Sequence, residues 1–357
     1  ESTLAQIYKV KDENGGFRGG PAYYMQKVFN KKWLGVLFSC LLIAGYAYGF
    51  NALQSFQLSS ALTPYIKDYN SGIYPMVVGF ILAVVTALAI WGGTHRVGFI
   101  SAYVVPVMSL AYISLSVYIG VKNFDKIPEM FSTIFKEAFN FKAIFGAMFY
   151  KSALMMGTKR GLFSNEAGMG SSPNAAATAD VLHPVNQGLA QILSVFIDTL
   201  LICSATSFIV LLSGVDFCCG LEDIPLVQEA VKNQVGPFGV YLIAFSIFAF
   251  AFTSIIGNYS YAETNVLFIK NSKLLLNIFR VTCVITVFLG AQADAKTVWN
   301  ISDLLMGLMA VVNIVVILLI GNIAIKALKD YLAQKKKGQT PVFVAKNASI
   351  ENTDVWS

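Results

Sequence analysis

Apolar residues in this chain gather into eight blocks, at roughly residues 33–62, 73–91, 97–121, 141–180, 186–213, 237–268, 274–292 and 299–325. Each block is about 20 residues or longer, enough for a helix to cross the roughly 30 Å hydrocarbon core of a bilayer. One soluble core cannot bury eight such stretches. Charged residues make up 13% of the chain and hydrophobic ones 56%, whereas soluble domains carry about 25% charged residues. The reading is an all-α polytopic protein whose solvent is the lipid bilayer.

The net charge of +6 could suggest nucleic acid as a partner. The basic residues sit at the ends of apolar blocks, however, which is where the positive-inside bias puts them. Residues 1–32 hold Lys9, Lys11, Arg18, Lys27, Lys31 and Lys32, and the tail 326–357 holds Lys326, Lys329 and the run Lys335-Lys336-Lys337. Placing both of these on the cytoplasmic side and alternating across the spans puts the larger share of lysine and arginine inside. Residues 33–325 then form the membrane domain, with 141–180 as a discontinuous span. The polar stretch 214–236 should be an external loop with a short helix, a candidate lid. The chain opens on Glu1-Ser2-Thr3-Leu4-Ala5-Gln6-Ile7-Tyr8-Lys9, with neither an initiator Met nor a signal peptide's charged and apolar regions. It reads as the last turns of a helix whose earlier part is missing, so the chain is expected to be a fragment. Cys40, Cys203, Cys218, Cys219 and Cys283 are too scattered for a disulfide framework, and Cys218-Cys219 lacks the spacing of a zinc site.

The fourth block is interrupted. Between Thr158 and Pro173 it carries Gly161, Gly168 and Gly170, the charges Arg160 and Glu166, and Ser164, Asn165, Ser171 and Ser172. Unpaired backbone does not survive in lipid, so such an interruption must line a cavity or be buried in protein. Discontinuous helices of this kind present backbone dipoles to a solute and a coupling ion at mid-membrane. The main chain of Gly161, Leu162 and Phe163 is the expected unwound part. Arg160 and Glu166 flank it, either as gating charges or as an ion pair joining the two half-helices.

Three other constellations stand out. Thr253 and Ser254 place two adjacent hydroxyl oxygens inside an apolar block, which suits a hard cation; the alternative is back-bonding to carbonyls one turn earlier. Asn258 follows Ser254 by four residues and shares its face. Asn51, Gln54 and Gln57 recur every three residues, and their amides could read a zwitterionic solute or bond between helices. Asp198 is a carboxylate within an apolar block, either coupled to an ion or accepting hydrogen bonds from a neighbouring helix. Ser171, His183 and Asp198 could be drawn as a catalytic triad, but no nucleophile elbow accompanies them.

The chain resembles the alanine or glycine:cation symporter family, also called sodium:alanine symporters. The resemblance lies in Gly19-Gly20-Pro21-Ala22-Tyr23-Tyr24, in Arg160-Gly161-Leu162-Phe163-Ser164-Asn165-Glu166-Ala167-Gly168-Met169-Gly170-Ser171, in His183-Pro184-Val185-Asn186-Gln187-Gly188 with Phe196-Ile197-Asp198-Thr199, and in Asn300-Ile301-Ser302-Asp303-Leu304-Leu305-Met306-Gly307-Leu308-Met309-Ala310. It implies a LeuT-type fold of ten core helices in two inverted repeats, in the plasma (inner) membrane of a prokaryote. Core helices 3–10 would be present here, and helix 1 and most of helix 2 missing, so that the fragment alone should neither bind nor transport. It also implies Na⁺-coupled symport of a small neutral amino acid by alternating access, with no organic cofactor and no enzymatic activity. Thr253 and Ser254 would then contact Na⁺, and Gln54, the 161–163 break and Asn258 the solute. Where well-known members carry Trp this chain has Asn258, an exchange that enlarges and polarises the pocket and admits a solute such as glutamine. The rival classes are a membrane-embedded enzyme and a passive channel.

Overall fold

The computed structural model describes residues 1–12, 15–92, 94–139, 153–215, 220–221 and 223–356. The first part of the interrupted block, together with Cys218 and Cys219, lies outside the described residues. Among those described, seven helices are long and apolar enough to cross a membrane: Lys32–Tyr65, Tyr74–Gly92, Ala102–Lys122, Pro184–Leu212, Pro237–Ile269, Lys273–Gly290 and Ala295–Lys336. They coincide with seven of the eight blocks. Their Leu, Val, Ile and Ala runs leave the backbone only its own groups to bond with, and in lipid that selects the helix. Large side chains such as Leu88 and Leu318 face outward along them, as lipid contact requires.

In chain order, α1 (Ser2–Ile7) is followed by a small antiparallel ribbon, Val10–Lys11 with Phe17–Arg18, that the sequence did not announce. Then come α2 (Pro21–Phe29) and one continuous helix made of α3 (Lys32–Leu42), a π-helical stretch (Ile43–Phe50) and α4 (Asn51–Ser60). After α5 (Tyr74–Gly92) and α6 (Thr94–Lys122), the short α7 (Ile127–Ala138) precedes the interrupted span. That span comprises α8 (Ala153–Asn165) and α9 (Ser172–Thr178). Next, α10 (Pro184–Ile197) runs through a second π-helical stretch (Asp198–Cys203) into α11 (Ser204–Leu212). The polar segment after it contains the expected short helix, α12 (Asp223–Val235). The chain ends with α13 (Pro237–Ile269), α14 (Lys273–Gly290) and α15 (Ala295–Lys336).

The last helix, α15, continues without a break past residue 325, where the membrane domain is expected to end, to Lys336. Beyond it residues 339–356 fold back, burying Phe343, Ala345, Ile350 and Trp356. The largest apolar cluster sits where α3, the first π-helical stretch, α13 and α15 meet, and contains Tyr24, Phe38, Tyr46, Phe50, Met169, Tyr259, Met306 and Met309. It surrounds the interruption.

Candidate functional site

The interruption occupies Glu166–Ser171, not Gly161–Phe163. Gly161, Leu162 and Phe163 are helical and lie in the last turns of α8, which ends at Asn165. The sequence placed the break too early because it counted Gly161 with the other glycines, and Gly161 has no left-handed φ. The reversal is made by Glu166 (φ 50°), Gly168 (φ 84°) and Gly170 (φ 83°). At Gly170 a Cβ would stand 2.7 Å from both Phe38 and Pro21 and 3.0 Å from Asn313. Only glycine combines that φ with that approach.

Three side chains from separate parts of the chain meet the freed backbone. Asn313 Nδ2 of α15 donates to Gly168 O at 2.9 Å. Asn174 Nδ2 of α9 donates to Gly170 O at 3.0 Å and to Ser171 O at 2.9 Å. Gly168 N donates to the Glu1 carboxylate at 3.1 Å. A second tier holds these amides in place: Tyr24 OH donates to Asn313 Oδ1 at 2.5 Å, Asn265 Nδ2 to Asn174 Oδ1 at 3.0 Å, and Ser39 Oγ to Asn265 Oδ1 at 3.0 Å. Asn174, Asn265 and Asn313 are buried, and sequence reasoning missed all three. Asn265 and Asn313 stand inside apolar blocks, and that placement was the available signal.

The Gly19-Gly20-Pro21 motif finds its reason in the same place. Gly20 has φ 133°, and a Cβ there would lie 2.4 Å from Asn174 Oδ1, so α2 begins directly against the break.

Beside the interruption lies a cavity of about 480 Å³. One wall is Ser164, Asn165, Glu166 and Ser172; the other is Gln187, Gln191, Ser194 and Asp198, a helical face of α10 continued into the π-helical stretch, with Tyr261 of α13 between them. Glu166 accepts from Ser171 Oγ at 2.7 Å and Ser172 Oγ at 3.2 Å. Asp198 accepts from Ser164 Oγ at 2.5 Å, the interhelical bond that was one of its two readings.

The expected pairing of Arg160 with Glu166 is not made. Six residues apart across a helix end, the two side chains leave on different sides. Arg160 instead pairs with Asp303 of α15, its Nη2 donating to both carboxylate oxygens at 3.0 and 2.9 Å, and lies over the Trp299 ring at 4.0 Å. Lys159 approaches the same carboxylate at 3.7 Å. An aromatic ladder runs below this clamp: Tyr261–Tyr46 at 5.7 Å, Tyr46–Phe50 at 4.7 Å, Phe50–Phe163 at 5.1 Å and Phe163–Trp299 at 5.4 Å between ring centres. Trp299 Nε1 also donates to Asp223 at the start of α12, at 3.0 Å, so the short helix is tied to the clamp.

On α13, Thr253 Oγ1 donates to Ala249 O at 2.9 Å and Phe250 O at 3.0 Å, the back-bonded arrangement. That bond uses the hydroxyl proton and leaves the oxygen lone pairs open to a cation. Asn258 Nδ2 donates to Asn51 Oδ1 at 3.1 Å, joining α13 to α4. The Asn51 amide nitrogen, the Gln57 carbonyl oxygen and the Ser302 hydroxyl are buried without a partner. Gln54 is half-buried on the Asn51 face. The drawn triad does not assemble: Ser171 bonds Glu166, His183 faces Asp330 at 3.3 Å, and Asp198 takes Ser164.

A polytopic helical protein with a buried, amide-braced interruption in one span has the build of a membrane carrier. The sodium:alanine symporter family profile matches residues 1–345. The chain is 44% identical to the amino-acid carrier protein AlsT of Bacillus subtilis over 357 residues, covering all of this chain and 75% of that protein. It is 44% identical to the B. subtilis protein named "Probable sodium/glutamine symporter GlnT", covering 96% of this chain and 70% of the relative. It is 34% identical to the sodium/alanine symporter AgcS of Methanococcus maripaludis, covering 93% and 73%. The chain belongs to the sodium:alanine symporter family, a family of transporters and not of enzymes.

Proposed function

We propose that the protein is a Na⁺-coupled symporter of a small neutral amino acid that works by alternating access on a LeuT-type scaffold, in a prokaryotic plasma membrane with both ends of this chain cytoplasmic. The observation that carries the reading is the interruption at Glu166–Ser171, whose backbone is braced by buried amides beside a polar cavity. Such a segment is stable only if it is used or enclosed, and here it lies between α8 and α9, two arms that can move independently about it.

In this reading Thr253 and Ser254 supply hydroxyl oxygens to Na⁺, a hard cation that takes oxygen donors. Gln54 and Asn258 read the polar groups of the solute from α4 and α13. Phe163 and Leu162 act through their side chains, as apolar lining under the aromatic ladder, and the backbone role passes to residues 166–171. Arg160 with Asp303 closes one end of the pathway. A ligand moves a conformational equilibrium only by binding one state better than the other, so Na⁺ must favour the state that admits the solute. The relative named for glutamine and the amide at Asn258 both favour a solute larger than alanine.

The test is uptake of labelled alanine and glutamine by the reconstituted full-length protein, with and without a Na⁺ gradient and against a panel of unlabelled amino acids. Saturable, Na⁺-driven accumulation is expected, with glutamine competing at least as well as alanine. Flux that never saturates and never exceeds the gradient would make the protein a channel instead. Thr253→Ala with Ser254→Ala should raise the Na⁺ concentration needed for half-maximal uptake; an unchanged Na⁺ dependence removes these two residues from the ion site.

A further inference from the structure

The C-terminal segment reaches α9, the inner arm of the interrupted span, through Gln6 of α1 and Lys9 just after it. A helix leaves its last carbonyls unpaired and partly negative. At the end of α9, Ala176 O accepts only a long backbone bond from Ala179 N, at 3.4 Å, and Ala179 O lies just beyond the helix. Gln6 Nε2 of α1 donates to both, at 2.5 and 2.9 Å. Lys9 Nζ, fully buried, donates to Ala179 O at 2.9 Å. Trp356 then covers both donors: its Nε1 donates to Gln6 O at 2.7 Å, and its ring lies 4.9 Å from Lys9 Nζ, which also sits 3.8 Å over Phe17. Further fastenings hold the segment down. Phe343 N donates to Leu182 O at 2.9 Å, Ala345 N to Trp356 O at 3.1 Å, and Lys27 pairs with Asp354 at 2.6 Å. The Phe343 ring packs edge-on against His183 at 5.0 Å.

We infer that residues 343–356 form a latch on the inner arm. Docked, the latch holds α9 shut against α1 through Trp356, Gln6 and Lys9; undocked, it frees that end to open. Gln6, Lys9 and Trp356 are positioning residues, since they act on the break through the α9 C-terminus. The inference rests on the alternating-access reading for its consequence, but the latch itself can be detected without transport.

Two experiments on the reconstituted full-length protein test it. In a background with the native cysteines replaced, Ala179→Cys should react with a hydrophilic thiol reagent about fivefold or more faster when Trp356→Ala is added. The same Trp356→Ala should raise KM for solute more than it lowers kcat, because it shifts a population without touching the solute. Separately, Lys27→Cys with Asp354→Cys, bridged by a reducible bis-methanethiosulfonate, should arrest uptake, and reduction should restore it. Unchanged Ala179→Cys labelling in a folded Trp356→Ala protein, or full uptake by the bridged protein, would overturn the latch. A faster labelling rate in a protein that shows no Na⁺-driven uptake would keep the latch and sink the transport reading instead.

Discussion

Asn313 stands midway along α15 with partners from three other parts of the chain: it accepts from Tyr24, and it donates to Gly168 O and to the Glu1 carboxylate. Replacing it with Ala strands a buried carbonyl and a buried phenol, each costing about 1–3 kcal/mol. Asn313→Ala should therefore lower the unfolding temperature in detergent by several degrees and depress uptake. Asn313→Asp keeps the acceptor for Tyr24 but loses the donor to Gly168, so it should fall between Ala and wild type on the same melting curves. His183 gives a pH test. Burial pushes its pKa below the ordinary value, against the opposing pull of Asp330. The unfolded chain therefore binds the proton more readily, and stability falls as pH drops through about 6.5. Melting temperature measured from pH 7.5 to 5 should decline, and His183→Gln should flatten the decline. Lys9 works in a different window. Burial lowers its pKa to about 8, so stability should rise between pH 8 and about 10, where only the unfolded chain still holds that proton. At this scale the sequence showed which side chains were expensive but not whom they met. Arg160 and Glu166 stood out as charges in an apolar block, yet Asp303 lies 143 residues beyond Arg160, and no spacing rule reaches that far.

The interrupted span makes its own prediction through two glycines. Gly161 sits in α8 with nothing within 4 Å of a Cβ, so Gly161→Ala should be tolerated, with helix propensity favouring Ala by about 1 kcal/mol. Gly170→Ala must adopt φ 83° and push against Phe38 and Pro21, at a cost of about 1–2 kcal/mol for the backbone before any clash. Uptake by the two variants should diverge at least tenfold at matched expression; equal activities would return the functional break to 161–163. The spans themselves were readable because hydropathy and length decide a helix in lipid without help from neighbours. The break's position was not, since it depends on which glycine is crowded, a fact of packing. The two π-helical stretches were equally hidden. Ile43–Phe50 brings Gly45 against Met309 and Gly49 against Leu305 of α15, and nothing in the local sequence demands that wide turn. The folded tail was read as a basic run because Lys335-Lys336-Lys337 dominates it, whereas the residues that dock, Phe343, Ile350 and Trp356, are scattered beyond that run.

Across the described residues α15 links the Arg160 clamp, the interruption and the folded tail. Over 42 residues it extends roughly 60 Å at 1.5 Å per residue. Near its start Asp303 grips Arg160, at mid-length Asn313 braces the interruption, and near its end Asp330 and Tyr331 hold His183 beside the tail. Asp303 lies near the start of this helix and Trp356 in the tail folded back beyond its other end; Asp303→Asn and Trp356→Ala share no partner, so ordinary additivity would make their effects on KM independent. A double-mutant cycle should instead return a coupling of about 1–2 kcal/mol, and strict additivity would show that the two closures move separately. The length of α15 has a mechanical corollary. A helix unbroken over 42 residues resists shortening, so tilting it to loosen one mouth of the pathway would swing its far tip the other way, which works against a leak through both mouths at once.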